Sequence, residues 1–434
     1  MKKFLKGLGI AVLVIAVAWL VCFLLPKPQN FALDNPMMKD SADSLPILIA
    51  HGGGNREFPD NTLEAFYNAY SVDPRVMMET DVSITKDGVV ILSHDVRLDR
   101  KTNVTGNIAD WNYADLIAQK VDFGYTNKTK SQKLVEGSAL VKFTTDDGKT
   151  VTPLDVPYPD GVQPRDTEVF LATTLEELIV SFPENRINVE IKQEGELGMQ
   201  CMKEILRLLE KHNAWDRVVL ASFHNDIYAE YQRLQKAGEV PETFMCSPGL
   251  GNAALFYVLQ LLELDAFYGE KTCAFQLPTD YDISAGPIEL TFDLATEHLI
   301  NTAHKHNLAV HYWTINDKDE MRMLIELGAD GIMSDYPHRL AEVYAEYSKY
   351  SHITTARRHV LPGCFYTAFP LFPWAGRAIM NTTQERRPGV PAATAHALPQ
   401  PFHLPQPGAG VLRLPRAPAA VLQHQLPLRR DCPL

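Results

Sequence analysis

Two histidines and two acidic residues early in the chain have the types and positions that acid–base and metal chemistry require. His51 directly follows one short apolar run, Glu79 and Asp81 end a second, and His94 follows a third after one serine. Short apolar runs are typical of buried parallel strands. In α/β folds the carboxyl ends of such strands carry the functional side chains. The pattern therefore predicts a functional site at the carboxyl ends of neighbouring strands.

The spacing of Glu79 and Asp81 predicts a cation site. Side chains at positions i and i+2 of a strand leave by the same face, so two carboxylates there repel each other unless a cation joins them. Hard oxygen ligands suit Mg²⁺ or Ca²⁺ better than zinc. Imidazole titrates near neutral pH, so His51 and His94 could donate and accept protons beside this site. Taken singly, a solvated strand edge or a structural histidine explains each motif as well, and only the combination is specific.

Apolar runs alternate with amphipathic stretches from Ile47 onward, and this alternation predicts a (β/α)₈ TIM barrel. The eight strand candidates are 47–50, 76–81, 187–191, 218–222, 243–247, 273–277, 309–314 and 331–334. A further run, Val89 to Leu92, is expected to form the second arm of a hairpin at the barrel mouth, turned at Gly88. A doubly wound sheet is the alternative, but no GxGxxG phosphate-binding loop opens the series of strands.

A third acid, Glu190, ends the third strand candidate, beside the strand that carries Glu79 and Asp81. Three acids that converge at a barrel mouth make a reasonable site for one divalent cation. The alternative is an ion pair between Glu190 and Lys192, which lies two residues later on the same strand face. The two acidic neighbours favour the metal site.

The stretch from residue 47 to 95 resembles the signature of the glycerophosphodiester phosphodiesterase family. The segments AHGGG, FPDNTLEAF, METDV and SHD follow the order of that family's His-Arg-Gly motif, Pro-Glu-Asn-Thr loop, Glu-x-Asp pair and His-Asp pair. The segments INVEIK, YWTIN and DGIMSDYP extend the resemblance to about residue 340. One departure stands out, because Gly52 occupies the position of the family's arginine.

The resemblance implies metal-dependent hydrolysis of a small-molecule glycerophosphodiester to sn-glycerol 3-phosphate and an alcohol. It implies one divalent cation, Mg²⁺ or Ca²⁺, on the three acids, acid and base roles for the two histidines, and a contact between Lys192 and the substrate phosphate. Two alternatives stay open. One is phospholipase D-type cleavage of lysolipid or sphingolipid head groups on the same barrel, and the other is an inactive barrel that acts as a binding protein.

The missing arginine raises the question of what else could bind the phosphate. Glycines at 52–54 would let main-chain N–H groups approach it, and Arg56 could supply a guanidinium from the same loop. The alternative pairs Arg56 with Glu57 or Asp60. Trp313, at the end of the seventh strand, is expected either to form an apolar wall for the glycerol carbons or to pack in the core. Other polar residues near strand ends are interpreted as structural: His224, His311 and Asp335.

Composition limits the remaining classes of function. The chain has 434 residues, enough for one large barrel with additional segments. Its formal net charge of −12 argues against a nucleic-acid partner, which would require a basic surface. Six cysteines without a CxxC pair indicate neither a zinc site nor a disulfide framework.

Residues 1–25 predict a cytoplasmic N-terminus and a transmembrane signal anchor. Three lysines precede Gly7 to Leu25, nineteen residues without a charge, and such a stretch can cross a bilayer as a helix. It is longer than the apolar region of a cleaved signal peptide and lacks a small-residue exit. Because the lysines favour the cytoplasmic side, we expect a single-pass protein of the cell membrane with an extracytoplasmic catalytic domain.

The rest of the chain divides by composition. Residues 26–46 predict a polar linker, and 47–345 the barrel. The family that the chain resembles carries a small insertion after its second strand, and the resemblance implies that residues from about 100 to 170 form this insertion over the barrel mouth. Residues 346–434 are rich in proline, and from position 352 they hold nine arginines, two acids and no lysine. Such a composition cannot bury a core and predicts disorder. An out-of-frame translation would explain the change in composition equally well.

Overall fold

Eight parallel strands form the barrel that the apolar runs predict. The computed structural model describes residues 2–126, 140–285 and 288–357. Its strands are β1 (Ile47–Ala50), β2 (Met77–Ile84), β3 (Val90–Leu92), β4 (Tyr125–Thr126), β5 (Val141–Lys142), β6 (Ile187–Ile191), β7 (Val218–Ala221), β8 (Met245–Cys246), β9 (Ala274–Leu277), β10 (Asp280–Ala285), β11 (Ile288–Asp293), β12 (Ala309–Tyr312) and β13 (Gly331–Ser334). The barrel order is β8-β7-β6-β2-β1-β13-β12-β9. A bond of 3.1 Å from the Cys273 N–H to the Cys246 carbonyl joins the two end strands.

Helices alternate with these strands as expected for a TIM barrel. They are α1 (Lys2–Phe23), α2 (Leu63–Val72), α3 (Tyr113–Ala118), α4 (Leu175–Ser181), α5 (Gly195–Lys211), α6 (Asn225–Ala237), α7 (Leu250–Leu261), α8 (Glu297–Lys305), α9 (Lys318–Leu327) and α10 (Pro337–Arg357). Local sequence sets their ends. Thr62 caps α2 by accepting a bond from the Ala65 N–H, and Gly328 ends α9 in the left-handed conformation at φ +89°.

The hairpin predicted at Gly88 is confirmed. β3 pairs antiparallel with β2, with Val82 opposite Leu92, and Gly88 turns the chain at φ +82°. This hairpin aligns the end of β3 with the acidic part of β2, since the Ser93 N–H donates to the Asp81 carbonyl at 2.8 Å.

The segment 26–46, for which the composition predicts a linker, packs against the amino-terminal end of the barrel. Phe31 and Met37 are buried in one cluster with residues from the starts of the strands, among them Met77 and Ala309. The Asn35 side chain donates to the Cys273 carbonyl at 2.6 Å. This stretch therefore closes the base of the barrel, opposite the carboxyl ends of the strands.

The sequence predicts a transmembrane helix at one end of the chain and a disordered tail at the other. Within the residues that the structure describes, no helix has the combination of length and apolarity that a membrane span requires. Helix α10 continues to Arg357. The tail that is predicted to be disordered lies outside the described part of the chain from residue 358 onward.

Candidate active site

Three acids meet at the carboxyl ends of two adjacent strands. Asp81 on β2 is paired in register with Glu190 on β6, and Glu79 lies two residues before Asp81 on the same strand face. One oxygen of each carboxylate lies within 4.8 Å of the other two. Glu79 and Asp81 are buried, and Glu190 is partly buried. The structure thus brings together the three residues predicted as metal ligands.

Lys192 lies between two of these acids. Its Nζ is 2.9 Å from Asp81 Oδ1 and 2.8 Å from Glu190 Oε1. Burial disfavours the ammonium form, but the two carboxylates outweigh burial and raise the pKa of Lys192 above its usual range. The acid cluster and the Glu190–Lys192 ion pair, which the sequence offers as alternatives, therefore occur together.

The protonation behaviour of the acids fits a site for a cation. Burial, together with the nearby Asp81 charge, raises the pKa of Glu79 to about 8. Burial would raise the pKa of Asp81 as well, but Lys192 and His94 hold it below its usual range. Because burial and a neighbouring carboxylate both disfavour the charged form of Glu79, a cation among these oxygens would stabilise that form. Three hard oxygen donors of this kind suit Mg²⁺ or Ca²⁺, so these residues could hold either ion.

His51 is held from one side by a carboxylate. Its Nδ1 lies 2.6 Å from Asp335 Oδ1, and its Nε2 lies 3.9 Å from Glu79 Oε2. The Asn316 side chain donates to the other Asp335 oxygen at 2.8 Å. Burial alone would lower the pKa of His51, but Glu79 and Asp335 outweigh it and raise that pKa to about 10. The ring is therefore oriented with Nε2 towards the acid cluster.

His94 is oriented by Asp95, which is itself bound by Arg100. Its Nδ1 lies 2.9 Å from Asp95 Oδ1, and Arg100 Nε donates to Asp95 Oδ2 at 2.6 Å. The Arg100 guanidinium also donates to Asp60 Oδ2 at 3.0 Å. Because Asp60 and Arg100 are buried, this network fixes His94 relative to the loop between β1 and α2.

Gly52, where the resemblance leads one to expect arginine, has a left-handed backbone. Its φ is +55°, and a Cβ there would lie 3.2 Å from Asp60 Cβ. A Cβ at Gly53 would come within 2.8 Å of Ala65 Cβ, so that position requires glycine. The Gly52 N–H donates to Glu79 Oε2 at 2.8 Å. This N–H, which could have met the phosphate, instead supports the acid cluster.

Arg56 lies beside the carboxylate that holds His51. Its side-chain Nε is 3.9 Å from Asp335 Oδ2. Its backbone N–H donates to the Asp335 carbonyl at 3.2 Å. Glu57 instead binds His338, and Asp60 binds Arg100. The guanidinium thus lies beside the carboxylate that orients His51.

Trp313 follows β12 and is half-buried. Its ring packs against the buried cluster in the barrel interior. The ring of Phe223 lies nearly perpendicular to it, with the two ring centroids 6.2 Å apart. The ring therefore packs in part against the core, and its expected role as an apolar wall for the glycerol carbons stays a prediction.

The sequence did not reveal the residues that orient His51 and Asp81. Asp335, treated as structural, binds His51 directly, and Asn316 binds Asp335. Asn61 donates to Asp81 Oδ2 at 3.0 Å. A signal existed, because Asn316 and Asp335 lie in the segments YWTIN and DGIMSDYP, each at the end of a barrel strand.

Acids and histidines at the carboxyl ends of a (β/α)₈ barrel define a barrel enzyme. The profile of the Glycerophosphoryl diester phosphodiesterase family matches residues 51–339. The chain belongs to this family. The match begins at His51 and includes all three acids, both histidines and Asp335.

Individual relatives agree with this assignment. The chain is 24% identical over 315 residues to a lysophospholipase D of Rattus norvegicus, covering 68% of this chain and 84% of the relative. It is 24% identical over 309 residues to a glycerophosphodiester phosphodiesterase of Bacillus subtilis, covering 69% and 87%. The crystal structure of a glycerophosphoryl diester phosphodiesterase domain from Mycobacterium tuberculosis superposes with a TM-score of 0.52 at 18% identity, covering 69% of this chain and 99% of that domain. This last likeness shows the fold.

Proposed function

We propose that the chain hydrolyses glycerophosphodiesters to sn-glycerol 3-phosphate and an alcohol, with one divalent cation on Glu79, Asp81 and Glu190. The observation that carries the proposal is the approach of these three carboxylates to within 4.8 Å of one another. Both histidines lie near enough to lower the pKa of Asp81. A cation site flanked by two oriented imidazoles suits the hydrolysis of a phosphodiester.

The charges of the site residues indicate what each would do in the proposed reaction. A bound divalent cation would supply positive charge to the phosphoryl oxygens, on which negative charge grows in the transition state. Lys192, already charged and at the edge of the cluster, would add a second positive group. One histidine would accept the proton of the nucleophile, and the other would donate a proton to the leaving alkoxide. Asp335 and Asp95 would keep the two rings in position through Nδ1.

Two nucleophiles are compatible with the proposed site. By resemblance it is the glycerol 2-hydroxyl, which gives a cyclic phosphate that water then opens. Direct attack by water uses the same groups. The two routes differ in whether a cyclic intermediate forms.

A second candidate function is the cleavage of lysolipid head groups. Relatives from rat, mouse and human are named lysophospholipase D. The apolar pair Phe223 and Trp313 lies beside the ends of β7 and β12, where it could accept part of an acyl or glycerol chain. The polar site itself would act in the same way on either substrate.

The experiment compares purified full-length protein on glycerophosphocholine, glycerophosphoethanolamine and lysophosphatidylcholine. His51→Ala is the control for contaminating activity. We expect glycerophosphodiesters to be cleaved with the highest kcat/KM. Higher kcat/KM on the lysolipid would assign the second function. Equal rates for wild type and His51→Ala on all three would refute both.

A further inference from the structure

Helix α7 exposes an apolar face that nothing in the described residues covers. Residues 250–262 read LGNAALFYVLQLL and contain no charge. Large apolar side chains on this helix and the turn after it expose between 45% and 60% of their surface: Leu250, Leu255, Val258, Leu261, Leu262 and Phe267. We call this set the α7 face. Single exposed apolar residues are ordinary, but a contiguous group marks an interaction surface.

The neighbouring helix shows what an ordinary outer helix of this barrel looks like. On α6 the buried positions are apolar, including Tyr231 and Leu234. Its exposed positions include Gln232, Arg233 and Lys236. Helix α7 buries Phe256 in the same manner, yet its outward positions are also apolar. Burial against the barrel therefore does not account for the composition of α7.

The α7 face is continuous with the end of α1. The Trp19 indole donates to the Leu262 carbonyl at 2.9 Å, and Lys27 pairs with Asp265 at 2.8 Å. Around this contact, α1 and the residue after it expose Leu20, Val21 and Leu24. Two apolar surfaces from distant parts of the chain thus join at one place.

We propose that the α7 face and the adjoining end of α1 form a lipid-contacting surface that lies in the interface of a bilayer. The exposed side chains of this surface are Leu, Val and Phe, with Trp19 at its edge, and such apolar and amphipathic aromatic side chains enter the boundary between head groups and acyl chains. Continuity supports lipid over a second copy of the chain, because the adjoining end of α1 belongs to the uncharged stretch from Gly7 to Leu25, which is predicted to enter a bilayer.

This surface would also set the orientation of the barrel. Helix α7 starts directly after Gly249, close to the carboxyl end of β8. Its first exposed residue, Leu250, thus lies on the side of the barrel mouth, while Leu262 lies towards the base beside α1. A bilayer against this helix would bring the rim of the mouth to the lipid surface. The inference concerns attachment and does not depend on the proposed catalytic reaction.

The test uses full-length protein reconstituted in vesicles of phosphatidylcholine and phosphatidylglycerol that contain a carbene-generating lipid, which labels only groups within the acyl region. We expect label on the peptide spanning 250–262 and none on α6, the internal reference. Label restricted to α1, or absent from α7, would overturn the proposal. Cross-links between α7 helices of two copies, with no lipid label, would also overturn it and assign the face to self-association.

A pair of charged variants supplies the matched comparison. Leu255→Glu/Val258→Glu should lose the label on α7, because carboxylates are expelled from the acyl region. Val180→Glu, on α4, replaces a residue that is 56% exposed and should leave the label on α7 unchanged. Retention of label in the double variant would contradict the proposal. If the double variant does not fold, the comparison of lipid label on α7 with label on α6 in the wild-type protein still tests the proposal.

Discussion

Asp335 Oδ1 lies 2.6 Å from His51 Nδ1, although 284 positions separate the two residues in the sequence. The contact joins the end of the last barrel strand to the end of the first, because β13 and β1 are neighbours in the barrel. Asp335 is buried, and Asn316 holds its second oxygen. Closure of the barrel is therefore what orients the first histidine.

Asp335→Asn should lower kcat by about 10²-fold, the order that a correctly protonated acid–base group contributes. The amide removes one of the charges that raise the pKa of His51, and in the neutral ring it can present N–H to Nδ1 and so favour the wrong tautomer. KM and melting temperature should change little, because the side-chain shape is kept. Steady-state kinetics checks this. Asp317→Asn is the control, since Asp317 caps α9 and asparagine caps equally well. An unchanged kcat in Asp335→Asn would show that the contact is structural only.

Arg56→Ala should lower kcat/KM by roughly tens of fold, if its guanidinium replaces the family's arginine at the phosphate. Arg75→Ala, a change at an exposed guanidinium, should have no effect. Unchanged kcat/KM in Arg56→Ala would rule this role out.

Gly52→Arg in the Arg56→Ala background should restore part of that loss and also lower the melting temperature. The left-handed backbone at Gly52 costs an L-residue about 1–2 kcal/mol, and its Cβ would press on Asp60. Kinetics and thermal melts on the same samples separate the two effects. Full restoration with no loss of stability would show that the loop relaxes freely.

Glu79→Gln should abolish stabilisation by metal without lowering stability in chelator. In wild type, Ca²⁺ or Mg²⁺ at a hundred times its Kd should add about 2.7 kcal/mol to the free energy of unfolding. The variant loses a ligand but also relieves repulsion among three close carboxylates. Thermal melts with chelator, Mg²⁺ and Ca²⁺ measure both effects, with the exposed Glu196→Gln as control. Equal metal stabilisation in Glu79→Gln and wild type would contradict the metal site.

The location of the barrel remains a prediction from residues 1–25 alone. If the N-terminus is cytoplasmic, protease added to spheroplasts should digest the chain beyond Pro26. A cytoplasmic marker protein, which must stay intact, is the control. Protection of the barrel would reverse the predicted orientation.

The sequence predicts the fold best where a buried element also has a recognisable pattern of apolar residues. All eight barrel strands were predicted, because strands buried on both faces read as continuous apolar runs. Helix α7 was not predicted, since an apolar helix exposed to one side has no amphipathic period to detect. The packing of 26–46 was missed for a different reason. It depends on side-chain bonds from Asn30 and Asn35 to distant carbonyls, and sequence spacing carries no trace of them.

The same contrast applies to the site. Glu79, Asp81 and Glu190 could be grouped from spacing and strand order, since neighbouring parallel strands end at one edge. The partner of His51 could not, because Asp335 reaches His51 only after the barrel closes. Position at a strand end was a signal for Asp335, but polar residues are common there, so position alone did not distinguish it.

The most direct test of the central claim is phosphorus NMR of glycerophosphoethanolamine incubated with full-length protein, before and after chelation and then with Mg²⁺ or Ca²⁺ restored. We predict that the diester signal is replaced by that of glycerol 3-phosphate, that chelation stops the reaction, and that one of the two ions restores it. His51→Ala and His94→Ala should leave the diester intact under all three conditions. Undiminished cleavage in chelator, or no cleavage by wild type with either ion present, would contradict a metal-dependent glycerophosphodiester phosphodiesterase.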